Sequence, residues 1–153
     1  KFMVAGHGSK LPLIRQAAEH LPNVRICGFL TGAAFGQAVA ASSCGIVSLE
    51  RGLMGMCAPS KYYSYLQSGL PVLTVAEKES YLAKEAVHAG IGLFSDVGNG
   101  VQLARNILTL YQDPELCRKM SGNAARLYAD RYAEDISLNR YVDLFRGVLR
   151  TAD

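Results

Sequence analysis

Short apolar runs alternate four times with segments of helical spacing, and this alternation is the feature that most limits the fold of this chain. Each run is bounded by turn residues and is typical of a buried strand. The alternation favours an α/β fold, a Rossmann-like parallel sheet with helices on both faces, in which right-handed crossovers bring every strand-to-helix loop to the carboxyl edge. Ligands of such sheets bind at that edge. The predicted strands are Phe2–Ala5, Val24–Cys27, Cys44–Leu49, Pro71–Ala76 and Gly92–Phe94, and the predicted helices are Leu11–Leu21, Gly32–Ala41, Pro59–Ser68 and Ser80–Ala89.

The sequence after Asn99 is wholly helical in pattern. Asp113-Pro114-Glu115 is typical of a helix start, because aspartate caps free N–H groups and proline is favoured in the first turn. A second breaker between Asp130 and Asp135 precedes a last helix with a broad apolar stripe. We expect this C-terminal helical tail to pack across the sheet, with docking of the last helix on a further domain as the alternative. The apolar stripes are Leu116, Met120 and Ala124 in the first of these helices and Leu138, Tyr141, Val142, Phe145 and Leu149 in the last.

The composition is that of a globular domain and argues against several other classes of protein. A length of 153 residues suits one domain, and 50% hydrophobic residues with 19% charged residues argue against disorder. The net charge of +3 is scattered among acidic residues, so no nucleic-acid partner is predicted. No apolar run reaches the ~20 residues of a membrane span, and the start Lys1–Gly6 lacks a signal-peptide pattern, so we expect a cytoplasmic location.

The cysteines and histidines indicate no metal centre. They form no C-x-x-C pair and no H-E-x-x-H motif. Reduced structural thiols are the favoured interpretation, with a zinc site or a disulfide as the weaker alternative. We therefore predict neither a bound metal nor a resident cofactor. The residues concerned are Cys27, Cys44, Cys57 and Cys117, with His7, His20 and His88.

The segment from Leu49 to Val72 predicts an anion site. It has the pattern of a strand, a glycine-rich loop, a short helix and a strand, with Pro59 in the first turn of the helix and Ser60 as a candidate cap. Ala58 offers no side-chain acceptor to the free N–H groups. Lys61 places a cation at the positive end of the helix dipole, which is unfavourable by roughly 0.3–1 kcal/mol. A bound phosphate would accept from those N–H groups and make the Lys61 interaction favourable.

Two further loops belong to the same predicted edge. Gly6-His7-Gly8-Ser9 follows the first strand but is not a dinucleotide fingerprint, because Leu11 replaces the third glycine and no acidic residue ends the second strand. A tight turn and a loop that a ligand approaches are equal alternatives. Gly28-Phe29-Leu30-Thr31-Gly32 follows the second strand, with Thr31 as the expected helix cap, and its backbone groups are candidates for reading a nucleotide base.

Charged residues also follow the third and fourth strands. Glu50 and Arg51 come after the third strand, where solvation is the default interpretation and ligand contact is the alternative. Glu77, Lys78 and Glu79 come after the fourth strand and are expected to be solvated. No Ser/His/Asp or Cys/His set is evident, so self-contained hydrolytic catalysis is not predicted.

Four sequence blocks stand in a characteristic order: Val24–Phe29, Ala58–Val72, Ala89–Leu93 and Asp113–Arg126. Together they resemble the C-terminal domain of retaining family 4 glycosyltransferases of the GT-B architecture. The resemblance covers nearly the whole chain and is strongest to the colanic-acid-type branch, which carries P-S-K-x-Y.

The resemblance implies a nucleotide-sugar donor site, for a UDP- or GDP-sugar for example, that faces a cleft against an N-terminal acceptor domain. It implies transfer without a metal, with Lys61 and a helix N terminus stabilising the leaving diphosphate. The implied contacts are Gly6 and Gly8 at the border of the donor, Gly28 and Phe29 beside the base, and Gly55 to Lys61, including Ser60, at the diphosphate and sugar; Glu50 and Ser64 are candidates by position.

The chain departs from the family pattern in two ways. The family commonly carries two glutamates eight residues apart, whereas here the second position is Ser64 and the first lies near Met56. The family domain also opens with another strand and helix that hold an arginine and a lysine for the diphosphate, and this chain starts after them. We expect residues 1–153 to be the nucleotide-sugar-binding domain without that segment and without the N-terminal domain, and to turn over no substrate alone.

The predicted function is transfer of a sugar from a nucleotide-sugar to a saccharide or lipid-linked acceptor, with no catalytic residue assigned. Half of a nucleotide-sugar 2-epimerase and a non-catalytic nucleotide-binding module are the alternatives. If the chain were half of an epimerase, we would expect several acidic and histidine residues at the ligand edge, and only His7 meets that expectation. Any contact with the inner face of the membrane is expected through the rest of the protein.

Overall fold

Strands and helices alternate in the predicted order in the computed structural model, which describes residues 1–150. After β5 the described part consists of helices, as the sequence predicted for the residues after Asn99. The strands are β1 (Phe2–Ala5), β2 (Val24–Cys27), β3 (Gly45–Ser48), β4 (Val72–Ala76) and β5 (Gly92–Asp96). The helices are α1 (Leu11–Ala18), α2 (Gly32–Ala40), α3 (Ser60–Gln67), α4 (Tyr81–His88), α5 (Gly100–Gln112), α6 (Pro114–Leu127), a π-helix (Tyr128–Tyr132) and α7 (Glu134–Arg150).

All strand pairs are parallel, but the strands form two hydrogen-bonded sheets where the sequence predicted one. β1 pairs with β2, with Phe2 opposite Val24. The second sheet has the order β3-β4-β5, with Val72 of β4 between Gly45 and Gly92. The chain divides accordingly into two compact units, the first being Lys1–Ala41 and the second beginning at Ser42.

The core of the second unit lies on both faces of β4. Val72 packs with Tyr62 and Leu66 of α3 and with residues of α4. The next residue, Leu73, points to the opposite face and packs with Leu110 of α5 and with α6. Helices therefore cover both faces of this sheet, as the alternation predicted.

Side-chain caps define several of these helix starts. Asp113 accepts from the backbone N–H of Leu116 at 2.8 Å, which confirms the predicted start of α6 at Pro114. Ser80 caps α4 in the same way through Ala83. Thr31 occupies the predicted cap position of α2 but makes no side-chain hydrogen bond there, so its position was predicted correctly and its capping bond was not.

The last two α-helices differ in how they meet the rest of the second unit. α6 buries Met120 and Ala124 of its predicted stripe. α7 begins after the π-helix, where Ala133 turns out of helical conformation with ψ 148°, and it buries no residue. The expected packing across the sheet is therefore right for α6 and wrong for α7. The exposed stripe of α7 consists of Leu138, Tyr141, Val142, Phe145 and Leu149.

No helix within residues 1–150 combines the length and the apolar character needed to cross a membrane.

Candidate functional site

The loop between β3 and α3 consists of two consecutive turns. The N–H of Leu53 donates to the carbonyl of Glu50 at 3.2 Å, and the N–H of Met56 donates to that of Leu53 at 3.1 Å. Gly52 and Gly55 adopt φ values of 81° and 79°, in the left-handed region that favours glycine. Leu53 packs against the core, while most of the remaining loop is exposed to solvent. The turns thus present backbone at the carboxyl end of β3.

A carboxylate from the neighbouring loop holds this segment. Glu77, directly after β4, accepts a hydrogen bond from the backbone N–H of Gly52 at 2.9 Å from its Oε2. Glu79, two residues further, instead forms an ion pair with Lys84 of α4 at 2.8 Å, and that contact lowers the pKa of the Glu79 carboxyl. The expectation that Glu77, Lys78 and Glu79 are merely solvated is therefore wrong for both glutamates.

The N terminus of α3 is exposed and lacks a side-chain cap. Pro59 is the cap residue and not part of the first turn, because its ψ of 114° is extended. Ser60 is the first helical residue and does not cap, so both of these details of the prediction are wrong. The N–H of Tyr62 donates to the Pro59 carbonyl at 3.1 Å. Within the described residues, the N–H groups of Ser60 and Lys61 have no acceptor.

The electrostatics of this helix start match the prediction from the sequence. The first turn of α3 contains no acidic residue, and Lys61 is exposed and makes no ion pair with a described residue. Ser64 follows one turn later on the same face as Ser60, and its hydroxyl donates to the Ser60 carbonyl at 3.5 Å. Two free backbone donors and a free ammonium group thus lie at the positive end of one helix dipole, where an anion is favoured.

The loops after β1 and β2 are joined in the first unit. The N–H of Gly6, whose φ is 131°, donates to the carbonyl of Gly28 at 3.1 Å. The rings of His7 and Phe29 lie 5.2 Å apart between centroids at an angle of 57°, and Phe29 is 67% exposed. Sequence reasoning missed this pair. The register contains the signal, because both residues stand two positions after the paired strand ends Ala5 and Cys27.

A second feature that sequence reasoning missed is a carboxylate cluster around Glu85 of α4. The Glu85 side chain is 12% exposed and accepts from the Tyr62 hydroxyl at 2.6 Å and from the Tyr132 hydroxyl at 2.8 Å. Arg131 adds an ion pair at 3.0 Å. Burial, and after it Glu85, raises the pKa of Tyr62 and of Tyr132 far above the ordinary range. The cluster ties α4 to α3 and to the π-helix.

The predicted site residues fall in different units. Gly6 and Gly28 are in hydrogen-bonded contact in the first unit, with Gly8 and Phe29 in the same loops. The second unit contains Glu50, Gly55, Ser60, Lys61 and Ser64, with Glu50 and Gly55 in the loop after β3 and the others on α3.

The cysteines are thiols in this structure. Burial raises the pKa of the Cys44 thiol, which suits an unreactive structural residue. Among residues 1–150, no three His, Cys, Asp or Glu side chains come together as a metal site requires.

Comparisons with known proteins identify the fold. No protein-family model matches the chain. The crystal structure of WaaG, described as a glycosyltransferase involved in lipopolysaccharide biosynthesis, matches with a TM-score of 0.65 and 21% sequence identity over 86% of this chain and 34% of WaaG. This likeness confirms the predicted α/β fold, with parallel strands flanked by helices and a C-terminal helix.

The chain is also similar in sequence to a curated protein of Pseudomonas aeruginosa named probable glycosyltransferase WbjE. The two are 27% identical over 154 residues, which is 97% of this chain and 37% of WbjE. The chain thus spans about a third of the length of each of these two proteins.

Proposed function

We propose that this chain is the nucleotide-sugar-binding, C-terminal GT-B domain of a retaining, metal-independent glycosyltransferase. The whole protein would transfer a sugar from a nucleotide-sugar to a saccharide or lipid-linked acceptor in polysaccharide biosynthesis, on the cytoplasmic side of the membrane. The likeness to WbjE and WaaG supports a glycosyltransferase function. Any membrane contact would be made by the rest of the protein.

The observation that carries this proposal is the N terminus of α3. The N–H groups of Ser60 and Lys61, which have no acceptor among the described residues, and the exposed Lys61 ammonium form a set of donors at one helix end. When a sugar is transferred from a nucleoside diphosphate sugar, negative charge develops on the leaving diphosphate as its bond to the sugar breaks, and preformed donors of this kind stabilise that charge. We assign the diphosphate and sugar to Gly55–Lys61, with Glu50 and Ser64 as neighbouring candidates.

Taken by itself, the first unit offers a candidate place for a nucleotide base. Gly6 and Gly28 bring two strand-end loops together through one backbone hydrogen bond, and Gly8 has no neighbouring atom that a larger side chain would meet. Phe29 offers an exposed ring beside His7. An open backbone next to an aromatic ring suits a planar base, because every base has a face that stacks on such rings.

We also propose that a further strand and helix belong to the same domain in the longer protein, as the resemblance to family 4 glycosyltransferases implies. The chain spans only about a third of WbjE and of WaaG, which leaves room for them.

We further propose that the exposed stripe of α7 contacts another domain of the same protein, the acceptor-binding N-terminal domain. The stripe includes Leu138, Phe145 and Leu149, which are 56–70% exposed. Contiguous apolar surface of this kind marks an interaction site. WbjE and WaaG are long enough to supply the partner, since about two thirds of each lies outside the matched part.

A thermal-shift titration of the chain with UDP-, GDP-, ADP- and dTDP-sugars tests the donor site. A ligand at ten times its Kd stabilises the folded state by roughly 1.4 kcal/mol, which raises Tm by a few degrees. Lys61→Ala is expected to stabilise the ligand-free chain by roughly 0.3–1 kcal/mol, because it removes a cation from the positive end of the dipole, and to weaken donor binding. Stability and binding thus move in opposite directions.

Lys119→Ala is the matched control, because Lys119 is also exposed on a helix but lies in the middle of α6. It should leave the response to nucleotide-sugars unchanged. If no nucleotide-sugar raises Tm at millimolar concentration, the proposed function is wrong for this chain. If the shift survives Lys61→Ala in full, the phosphate role of Lys61 is wrong.

A further inference from the structure

We propose that Glu77 is a positioning residue for the donor site, an inference that rests on the proposed function. Glu77 contacts none of the residues that we assign to the diphosphate. It acts through Gly52, whose N–H it accepts at 2.9 Å, and so fixes the loop that leads to the N terminus of α3.

The loop is attached at its start and at Gly52. The N–H of Leu49, its first residue, donates to the Val75 carbonyl of β4 at 2.8 Å, the two turns described above are bonds within the loop, and Leu53 anchors it to the core by apolar packing. Beyond Leu53 the residues Met54 to Ala58 are exposed, and Met56 is 80% exposed. The Glu77 bond therefore holds the loop at Gly52, three residues beyond the Leu49 bond and close to the exposed part of the loop.

The charge of Glu77 is also significant. A bare carboxylate near a diphosphate would oppose binding, whereas a carboxylate that accepts a backbone N–H makes a charge-assisted bond that is stronger than a neutral one. Glu79 in the same segment turns to Lys84 and makes no contact with the loop. Of the two glutamates, Glu77 thus makes the hydrogen bond to the loop. Glu79 carries the same charge without that bond and provides a control for the effect of charge alone.

The test compares Glu77→Ala, Glu77→Gln and Glu79→Ala in the whole chain. Amide hydrogen exchange at Gly52, measured by NMR, reports the bond itself. Titration with the nucleotide-sugar that gives the largest thermal shift reports the site, and urea unfolding reports global stability. The two alanine variants remove the same charge from neighbouring positions, so a general electrostatic effect changes both equally.

We expect Glu77→Ala to accelerate Gly52 exchange and to weaken nucleotide-sugar binding by roughly three- to tenfold, the size of one modest hydrogen bond. Glu77→Gln keeps an acceptor oxygen and should recover most of both losses, and Glu79→Ala should leave both unchanged. Unaltered Gly52 exchange in Glu77→Ala overturns the inference. So does a Kd that is unchanged, or one that follows global stability alone.

The same data separate this inference from the proposed function. If the unaltered chain binds a nucleotide-sugar and Glu77→Ala binds it equally well, the function stands and the positioning role is wrong. If the unaltered chain binds none, the function is wrong and the positioning of a donor site is overturned with it, whatever the exchange at Gly52.

Discussion

The Glu85 cluster leads to a prediction in which the effect of one substitution reverses sign. In the unaltered chain, Tyr62→Phe removes a hydroxyl that donates to the Glu85 carboxylate at 2.6 Å from a fully buried side chain. A hydrogen bond to a charged group contributes about 1.5–3 kcal/mol, so the variant should lose stability in that range. The exposed Tyr111 provides the matched control, since Tyr111→Phe removes a hydroxyl that faces solvent.

Glu85→Ala should be the more damaging single change. It leaves the buried Tyr62 hydroxyl and the half-buried Tyr132 hydroxyl without their acceptor, and it leaves Arg131 without its ion-pair partner. Because Arg131 is half-exposed, its ion pair contributes little to stability. We expect the free energy of unfolding to fall by about 3–5 kcal/mol, mostly because the two hydroxyls lose their acceptor. Domains of this size are stable by only about 5–15 kcal/mol, so the loss is a large share of the total.

In the Glu85→Ala background the Tyr62→Phe substitution should be neutral or stabilise the chain, because it removes a buried hydroxyl that has no acceptor. The coupling energy of the cycle is then at least about 1.5–3 kcal/mol. Urea unfolding of the four chains measures it, with Glu85→Gln as a milder substitute should Glu85→Ala fail to fold. Equal losses from Tyr62→Phe in both backgrounds would refute the assignment of Glu85 as the acceptor.

Two further predictions concern stability. Gly92→Ala should be severely destabilising, because a Cβ at Gly92 would meet the backbone carbonyl of Val72 in the paired strand. Gly100→Ala is the control and should be tolerated, because a Cβ there faces open space. Urea unfolding of both variants measures the difference. Burial raises the pKa of Tyr62, Tyr81 and Tyr132 above the ordinary value of 10.0, so stability should be full below about pH 10 and fall at higher pH as the unfolded chain ionises first. A stability that stays flat as the pH is raised through that value would contradict the second prediction.

Much of the fold was predictable because its signals are local. β1 and β2 have the predicted bounds, since each is a short apolar run closed by turn residues. The start of α6 was equally accessible, because Asp113 and Pro114 act within one turn of the chain. The start of α3 was one residue off because Pro59 is compatible both with a cap and with a first turn, and only its ψ distinguishes them.

The contacts that hold the candidate site were not accessible from the sequence. Glu77 and Gly52 are 25 residues apart, and Glu85 and Tyr132 are 47 apart. Such pairs form only because the fold brings distant strand ends and helices together. The periodicity of the sequence does not predict which elements become neighbours. The uncapped start of α3, on which the candidate anion site depends, was predictable, because the residues of a single turn include neither a side-chain cap nor an acidic residue.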